Sequence, residues 1–355
     1  MTVNRQCLCT REMVMRAADI KLTPMSAAAV DRAIETASET VQSTLNVQFG
    51  VELRTDKFDW PNYDRAVPWK LYLAGSQIAD VSSVVPVLTT GGVVIPASAI
   101  LWGPWNQSPP YRWLELDRSQ SYSFGQGSTP QQDIKILALY GYWNKWNSAG
   151  KIVSAISDTT GTSVSVSDSS LVGVGDVITI DSERMLVQNK SWLDTGQNQV
   201  SGLTTAKTSD VALGVTDGTQ YDVDEVLLLD SERVLITDVV GNSLIVKRAW
   251  DGTVIATHSG SDIYALRKLT VVRGFTGSTA ATHLNNAILT VFRVPPIARD
   301  LSIAEAATQK ELEIGGYVGS QGSGANEMAG LGEGLAEKWE EAMTAYGRQI
   351  RTIAI

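Results

Sequence analysis

Two short acidic motifs are the first places in the sequence where chemistry could be expected. The tetrad Asp-Ser-Glu-Arg occurs twice, placing Asp181 near Glu183 and Asp230 near Glu232. Paired carboxylates can act as general acid and base, or hold a divalent ion. Each tetrad lies between alternating apolar residues, a pattern that predicts a hairpin with a polar tip. Carboxylates in such turns are usually solvated, and the arginine of each tetrad can neutralise them, so we predict no catalytic or metal site here.

The other candidate ligands are few. The chain has two histidines, His258 and His283, and two cysteines, Cys7 and Cys9. Neither histidine has a cysteine or carboxylate at ligand spacing, and a lone Cys-Leu-Cys triplet does not make a zinc site. The sequence also lacks a phosphate-binding loop, a Gly-x-Ser-x-Gly elbow and a His-Glu-x-x-His motif. We therefore predict no enzymatic activity, no cofactor and no metal, with each histidine hydrogen-bonded in a turn.

The composition favours binding or assembly. The 355 residues include 29 basic and 38 acidic side chains, giving a net charge of −9, and 43% of the residues are hydrophobic. Such a chain can bury more than one core. The negative charge disfavours a protein that must neutralise many DNA phosphates. No apolar run approaches the ~18 residues that span a bilayer, no secretory signal follows Met1, and two cysteines exclude a disulfide scaffold.

Helical periodicity marks both ends of the chain. Thr23 and Pro24 open a helix with an apolar stripe that runs to Phe49, preceded by a shorter helix over about 10–18. Residues 51–142 contain short β-rich runs with Pro and Gly, which predict a small sheet. Seven of the ten tryptophans lie between Trp60 and Trp146, and we interpret them as core and subunit-contact residues. A further helix is predicted after Val294.

The region 151–289 reads as a separate all-β unit with an internal duplication. Residues 174–187 align without gaps on 223–236, and 246–258 resemble 271–283. Along the chain, the two predicted hairpins, 174–187 and 223–236, come first, and the two similar tail segments, 246–258 and 271–283, follow them. This order predicts nesting, in which a second copy at about 209–266 is inserted into the first, although two tandem units remain the alternative. Pairing of 270–273 with the first hairpin would distinguish the two.

The C-terminal residues predict a docking element. A Gly-rich stretch, 315–334, reads as a tether, and an amphipathic helix follows it, with acidic residues early and basic residues late. Such a helix suits a groove on another subunit, or it folds back on its own domain. The residues that we predict to make the docking contact are Leu335, Trp339, Met343, Tyr346, Arg348, Ile350 and Arg351.

Several segments together resemble the head-to-tail adaptor, or connector, proteins of long-tailed bacteriophages. They are CLCTREMVMRA at 7–17, QQDIKILALYGYW at 131–143 and IARDLSIAEAA at 297–307. The segments VGDVITIDSERMLV and RAWDGTVIATHSGSDIY are similar to β modules inserted in such adaptors and in other phage structural proteins. The resemblance covers most of the chain. In the predicted small sheet it is diffuse.

The resemblance implies an α+β fold. A helical connector core with a small β-sheet would comprise 1–150 and 290–355, the latter including the docking segment. A large all-β insertion, 151–289, would interrupt this core and contain the duplicated β module.

The resemblance also implies a structural virion protein at the head–tail junction, assembled in the cytoplasm of the host bacterium. A homo-oligomeric ring, in the family a dodecamer, would join the portal protein to a tail-side head-closure or stopper protein, with no membrane partner. DNA would pass through its channel without sequence-specific binding, and the charge of −9 per copy would repel the phosphates. The alternative function is a tail or baseplate module that binds a cell-surface glycan through Trp192 and Trp250.

Overall fold

The computed structural model describes residues 3–61, 68–73, 75–105, 109–318 and 324–346. The chain forms two compact units, each described by itself below. The first unit comprises Met1–Glu39, Trp146–Phe275 and Thr279–Glu341, and the second comprises Thr40–Lys145, Thr276–Ser278 and Ala342–Ile355. The predicted division differs, because it joins the small sheet to the terminal helices.

Within the described ranges, four helices form near the two ends of the chain, where the apolar stripes predict helical structure. Thr10 caps the first, since its side chain accepts a hydrogen bond from the backbone N–H of Met13. The stripe of the second helix is buried, with Val30, Ile34 and Val41 each 0% exposed. The helices are α1 (Arg11–Ala17), α2 (Pro24–Leu45), α3 (Pro296–Val318) and α4 (Gly324–Tyr346).

Part of the predicted tether is helical, because α3 continues to Val318 and α4 begins at Gly324. Neither α3, α4 nor any other helix in the described ranges is long and apolar enough to cross a membrane.

The second unit contains two antiparallel sheets around one apolar core. The five-stranded sheet has the order β1-β8-β4-β5, with β3 also pairing with β8, and the three-stranded sheet has the order β2-β7-β6. Their strands are β1 (Glu52–Phe58), β2 (Lys70–Tyr72), β3 (Ile78–Asp80), β4 (Val87–Thr90), β5 (Val93–Ile95), β6 (Ile100–Gly103), β7 (Trp113–Leu116) and β8 (Ile134–Tyr140).

The aromatic residues of this region partly serve its core, as predicted for the tryptophans. Trp60, Trp69 and Trp102 pack as half-buried rings against the core cluster.

One eleven-stranded antiparallel sheet dominates the first unit. Its order is β13-β14-β17-β16-β15-β18-β12-β11-β19-β9, with β10 pairing with β18. The strands are β9 (Trp146–Lys151), β10 (Ser163–Ser165), β11 (Val177–Ile180), β12 (Glu183–Asn198), β13 (Ser201–Gly202), β14 (Ala212–Gly214), β15 (Val226–Leu229), β16 (Glu232–Val240), β17 (Ser243–Lys247), β18 (Asp262–Val272) and β19 (Ile288–Phe292).

The strand order contains the same six-strand path twice. One path is β9-β19-β11-β12-β18-β10, and the other is β12-β18-β15-β16-β17-β14. The long strands β12 and β18 belong to both paths. One half of each strand lies in the first path and the other half lies in the second. We call residues 146–190 with 268–293 the outer module and residues 191–267 the inner module.

The pairing between β12 and β18 is that of the nested arrangement. Val187 pairs with Val271 and Leu186 with Val272, so the tail of the outer module returns to its own hairpin after the inner module ends. Each module also has its own core: Ile178 and Val291 belong to the outer cluster, whereas Leu227 and Ala265 belong to the inner one. The two modules are therefore separately packed bodies joined by a shared pair of strands.

The predicted α+β fold with a helical core and a small sheet is wrong. Strands make up 35% of the chain and helices 22%, and the largest element is the eleven-stranded sheet. Helical stripes are conspicuous because they are long, whereas strands of three to five residues rich in Ser, Thr and Gly carry little pattern individually. Their sum nevertheless outweighs the four helices.

Candidate functional site

The two Asp-Ser-Glu-Arg tetrads form the tight turns of equivalent hairpins. Glu183 pairs with Ile180 in the outer module, and Glu232 pairs with Leu229 in the inner module. The aspartate before each serine has a positive φ, 53° at Asp181 and 52° at Asp230, which Asp tolerates well. This turn sends the aspartate outward and the glutamate inward. The side chains of Glu183 and Glu232 are 0% exposed, so the prediction of solvated carboxylates is wrong for them.

Glu183 is the centre of a saturated hydrogen-bond network. Arg273 donates to it through Nε and Nη2 at 2.7 and 2.8 Å. The backbone N–H groups of Gly274 and Ala281 donate at 3.0 and 2.9 Å. Nε2 of His283 lies 2.9 Å from Oε2 of Glu183. Five contacts thus hold one buried carboxylate, and they fix both ends of the 274–281 loop.

Glu232 repeats this network in the inner module. Nε and Nη2 of Arg248 both donate at 2.7 Å, and the N–H groups of Ala249 and Ala256 both donate at 2.9 Å. Nε2 of His258 again lies 2.9 Å from the carboxylate. The two clusters therefore match contact for contact, which indicates a feature of the module fold rather than of one specialised site.

Each histidine bridges the two carboxylates of its own tetrad. Nδ1 of His283 lies 2.7 Å from Asp181, and Nδ1 of His258 lies 2.8 Å from Asp230. Both histidines are only 3% exposed. Because both ring nitrogens already face carboxylate oxygens, neither is free to take a proton from a substrate or to bind a metal.

The hydrogen bonds control the charge of the two glutamates. Burial by itself raises the pKa of Glu183, but the bonds from Arg273, Ala281 and His283 outweigh it and lower the pKa to about 2. The pKa of Glu232 falls to about 2 for the same reasons. Both groups are therefore carboxylates throughout the physiological range, which suits an ion pair and not a general acid.

The inner module has a second buried ion pair, and the outer module has an aspartate at the matching position. Glu225 is 1% exposed and accepts a hydrogen bond from Nε of Arg267 at 2.9 Å. The aligned residue of the outer module is Asp176, and Arg293 acts on it electrostatically. Burial nevertheless raises the pKa of Asp176 to about 7, although the N–H of Gly173 and Arg293 oppose this rise.

The arginine that closes the inner tetrad does not have the predicted role. Arg273 and Arg248, each distant in sequence from its tetrad, neutralise the glutamates. Arg233 instead donates to Asp251 at 3.3 Å and to the carbonyl of Leu22 at 3.0 Å. The loop of the inner module that Glu232 pins therefore holds the segment before α2.

One group of carboxylates in the described residues has a geometry that could suit a metal. Oxygens of Asp168, Asp222 and Glu225 lie within 4.8 Å of one another. The oxygens of Glu225 already accept hydrogen bonds from Arg267 and Ser169, so this carboxylate is engaged within the chain and is not an open ligand.

The cysteines are buried thiols. Sγ of Cys9 lies 3.4 Å from Oγ of Ser302, and burial raises the pKa of Cys9 to about 12, so it is not a thiolate ligand at neutral pH.

The two tryptophans of the alternative function are in contact with cations of the chain itself. Lys247 lies 5.0 Å from the ring centroid of Trp250, and Lys21 lies 5.9 Å from it. Arg233 lies 5.7 Å from the centroid of Trp192. A sugar platform needs open ring faces, and these cation–π contacts use part of each ring.

A cavity of about 450 Å³ lies in the first unit among α1, the residues before α2 and both β modules. Its wall is mainly apolar and includes Met13, Leu171 and Trp250. Lys190, also in the wall, donates to the carbonyls of Ser169 and Val172 at 2.7 and 2.8 Å. The cavity therefore offers apolar contact rather than an open charged site.

The described residues of the predicted docking segment lie against their own chain. Nε1 of Trp339 donates to Glu305 of α3 at 3.4 Å. The ring of Tyr346 lies 5.0 Å from that of Phe49 and 5.4 Å from that of Tyr142. Leu335 and Met343 are half-buried. The remaining docking residues, Arg348, Ile350 and Arg351, lie outside the described residues.

Comparison with known proteins gives no relative: no family model, no curated protein and no solved structure matches this chain.

Proposed function

We propose that this protein is a structural assembly subunit that forms a homo-oligomeric ring between a phage portal and the tail-side closure proteins. In this proposal the ring surrounds the DNA channel, and the C-terminal segment docks onto the portal. The two buried glutamate clusters hold loops in place, and their glutamate oxygens and histidine ring nitrogens are already engaged within the chain.

The observation that carries the proposal is the packing of the segments on which the phage resemblance rests. The N-terminal CLCTREMVMRA segment lies in the first unit together with α3, from the other end of the chain. The N–H of Leu8 donates to Ser38 at 2.9 Å, and Arg11 forms a buried pair with Asp31 at 2.7 Å. Cys9 meets Ser302 of α3. Two of the three segments of the resemblance, although remote in sequence, thus pack together in the unit that also contains the β modules, whereas the third, 131–143, belongs to the second unit.

The β modules begin and end on neighbouring strands. β9 begins the modules and β19 ends them, and the two strands pair, with Trp146 opposite Phe292. An insertion with adjacent ends can be accommodated without disturbing the packing of the flanking helices. This geometry supports the interpretation of the β modules as an addition to a smaller adaptor.

Removal of residues 331–355 should abolish attachment to the portal. We expect the truncated protein to remain folded, because the core clusters of the second unit's sheets and of the two β modules contain no residue of this segment, although the buried Ala342 is removed with it. The measurement is capture of the cognate portal protein by the immobilised full-length or truncated chain. A matched control, Glu337→Gln, changes one exposed residue of the segment and should bind as the parent does.

The docking proposal would be withdrawn if the truncated chain captured as much portal as the full-length chain. Binding of a glycan by the full-length chain, lost in Trp250→Ala, would instead favour the alternative function.

A further inference from the structure

Because the module is duplicated, each exposed residue of one module can be compared with the residue at the equivalent position of the other. Both modules fold by the same strand path, so an exposed residue that differs between equivalent positions is not required by the module fold. Positions can be matched through the hairpins: Leu289 pairs with Ile180 in the outer module, as Ile263 pairs with Leu229 in the inner one. His283 and His258 match in the same way through their clusters.

This comparison isolates an apolar patch on the outer module. Leu284 is 82% exposed and Ile288 is 67% exposed. The equivalent positions of the inner module are Ser259 and Asp262, both exposed and polar. The inner module therefore shows that a serine and an aspartate satisfy the fold at these two positions, and the outer module has large apolar side chains there for another reason.

The patch is continuous with a neighbouring strand end. Ile288 pairs with Lys151 across β9 and β19. The N–H of Ile152 donates to the carbonyl of Ala287 at 3.0 Å, and the next residue along the chain, Val153, is 41% exposed. We call Val153, Leu284 and Ile288 the outer patch, with Lys151 at its edge. Contiguous exposed apolar side chains next to a charged residue are typical of protein–protein contacts.

The charges of the modules indicate what covers the outer patch. The inner module, residues 191–267, has 11 acidic and 5 basic residues, whereas the outer module has 5 acidic and 6 basic residues. Two copies of one fold within a single chain thus carry net charges of −6 and +1. Modules of opposite net charge attract each other between molecules and align the apolar contact.

We propose that the outer patch binds the acidic inner module of a second copy of this chain. The two surfaces of this contact are different, so the contact is heterologous, and repeated around an axis it generates a closed ring. Only the closure into a ring rests on the proposed function; the pairwise contact does not.

The test exchanges residues between the modules. Leu284→Ser combined with Ile288→Asp gives the outer module the residues of the inner one, which the fold is known to accept. We expect self-association, measured by light scattering over a concentration series, to weaken by roughly 100-fold, since two apolar side chains leave the contact and a negative charge enters it. Val94→Thr, at a 58% exposed position of the second unit, is the matched control and should associate as the parent does.

A second variant tests the contribution of charge to the contact. Lys151→Glu should also weaken association, and added salt should weaken the parent protein more than this variant. Circular dichroism and unchanged thermal unfolding of each variant show that folding is intact.

The outcomes separate this inference from the proposed function. Association that persists unchanged in the double variant overturns the outer patch and leaves the ring proposal standing. A patch-dependent dimer supports the patch and overturns the ring. A parent protein that stays monomeric up to about 100 µM overturns both.

Discussion

Glu183→Gln should destabilise the first unit by about 3–5 kcal/mol, the cost of breaking a buried ion pair by removing one partner. The glutamine has one acceptor oxygen, and five donors from Arg273, His283 and two backbone N–H groups converge on the native carboxylate. The substitution leaves buried donors unpaired around a residue that is 0% exposed. The measurement is the shift in the denaturant midpoint at pH 7, and Glu232→Gln should give a comparable shift.

The control is a glutamate whose ion pair lies at the surface. Glu39 pairs with Arg5, and the two side chains are 64% and 55% exposed. Glu39→Gln should therefore change the unfolding free energy by about 0–1 kcal/mol. Equal effects of Glu39→Gln and Glu183→Gln would contradict the structural role of the buried cluster.

The cost of Glu183→Gln should also depend on pH with a definite sign. The pKa of Glu183 in the folded protein is about 2, below its ordinary value of 4.5. A lowered pKa stabilises the fold fully above the ordinary value, and this stabilisation is lost as the pH falls towards the folded value. The difference between the parent and the variant should therefore be largest above about pH 5 and shrink towards pH 2.

Excision of the inner module should leave the outer module folded. Lys190 and Leu269 are paired neighbours on β12 and β18, so deletion of the inner module together with Lys268, residues 191–268, leaves two strand ends that an Asn-Gly turn can join. The outer core, which includes Ile178 and Val291, loses no member by this cut. Hydrogen exchange should show that the amides of β11 and β19 remain protected in the shortened chain.

A second deletion tests whether the nesting, and not merely the length of the cut, matters. Removal of 226–247 deletes β15, β16 and β17 from the inner module. The remaining residues of its core then lose their packing partners. We expect this shorter deletion to aggregate, because it leaves unpaired strand edges and exposed apolar residues. Loss of protection in β11 and β19 after the longer deletion would contradict the nested arrangement.

The internal repeat was the part of the fold that could be predicted most directly from the sequence. Alternating apolar residues on both sides of Asp-Ser-Glu-Arg predicted the two hairpins, and the structure has them at Ile180–Glu183 and Leu229–Glu232. The stripe of α2 was equally clear. Both signals are local, since period-2 and period-3.6 patterns report directly on which side chains face a core.

The buried clusters could not be predicted in the same way, because their members are not neighbours on one strand or helix: Arg248 lies 16 residues from Glu232, and the outer cluster spans far more of the chain. Arg273 lies 90 residues from Glu183, and a tetrad read by itself looks like a solvated turn. The signal was nevertheless present. Each Asp-Ser-Glu-Arg copy has its own downstream copy with an arginine and an Ala-Thr-His, and residues duplicated together are expected to act together.

The balance of helix and strand was mispredicted for a physical reason. Strands such as Ser163–Ser165 and Ala212–Gly214 are too short to show a period, and they are held by their partners in the sheet rather than by intrinsic preference. The docking segment shows a related limit. The amphipathic stripe predicted a contact for Trp339 but not its partner, and Glu305 of the same chain contacts this tryptophan.

The most direct test of the proposed function is electron microscopy of the purified full-length chain, with its mass measured in solution. We expect closed rings with an open central channel and about twelve subunits, built from one repeated heterologous contact. Single particles of one subunit, together with a monomeric mass, would contradict the proposal that this chain forms a connector ring.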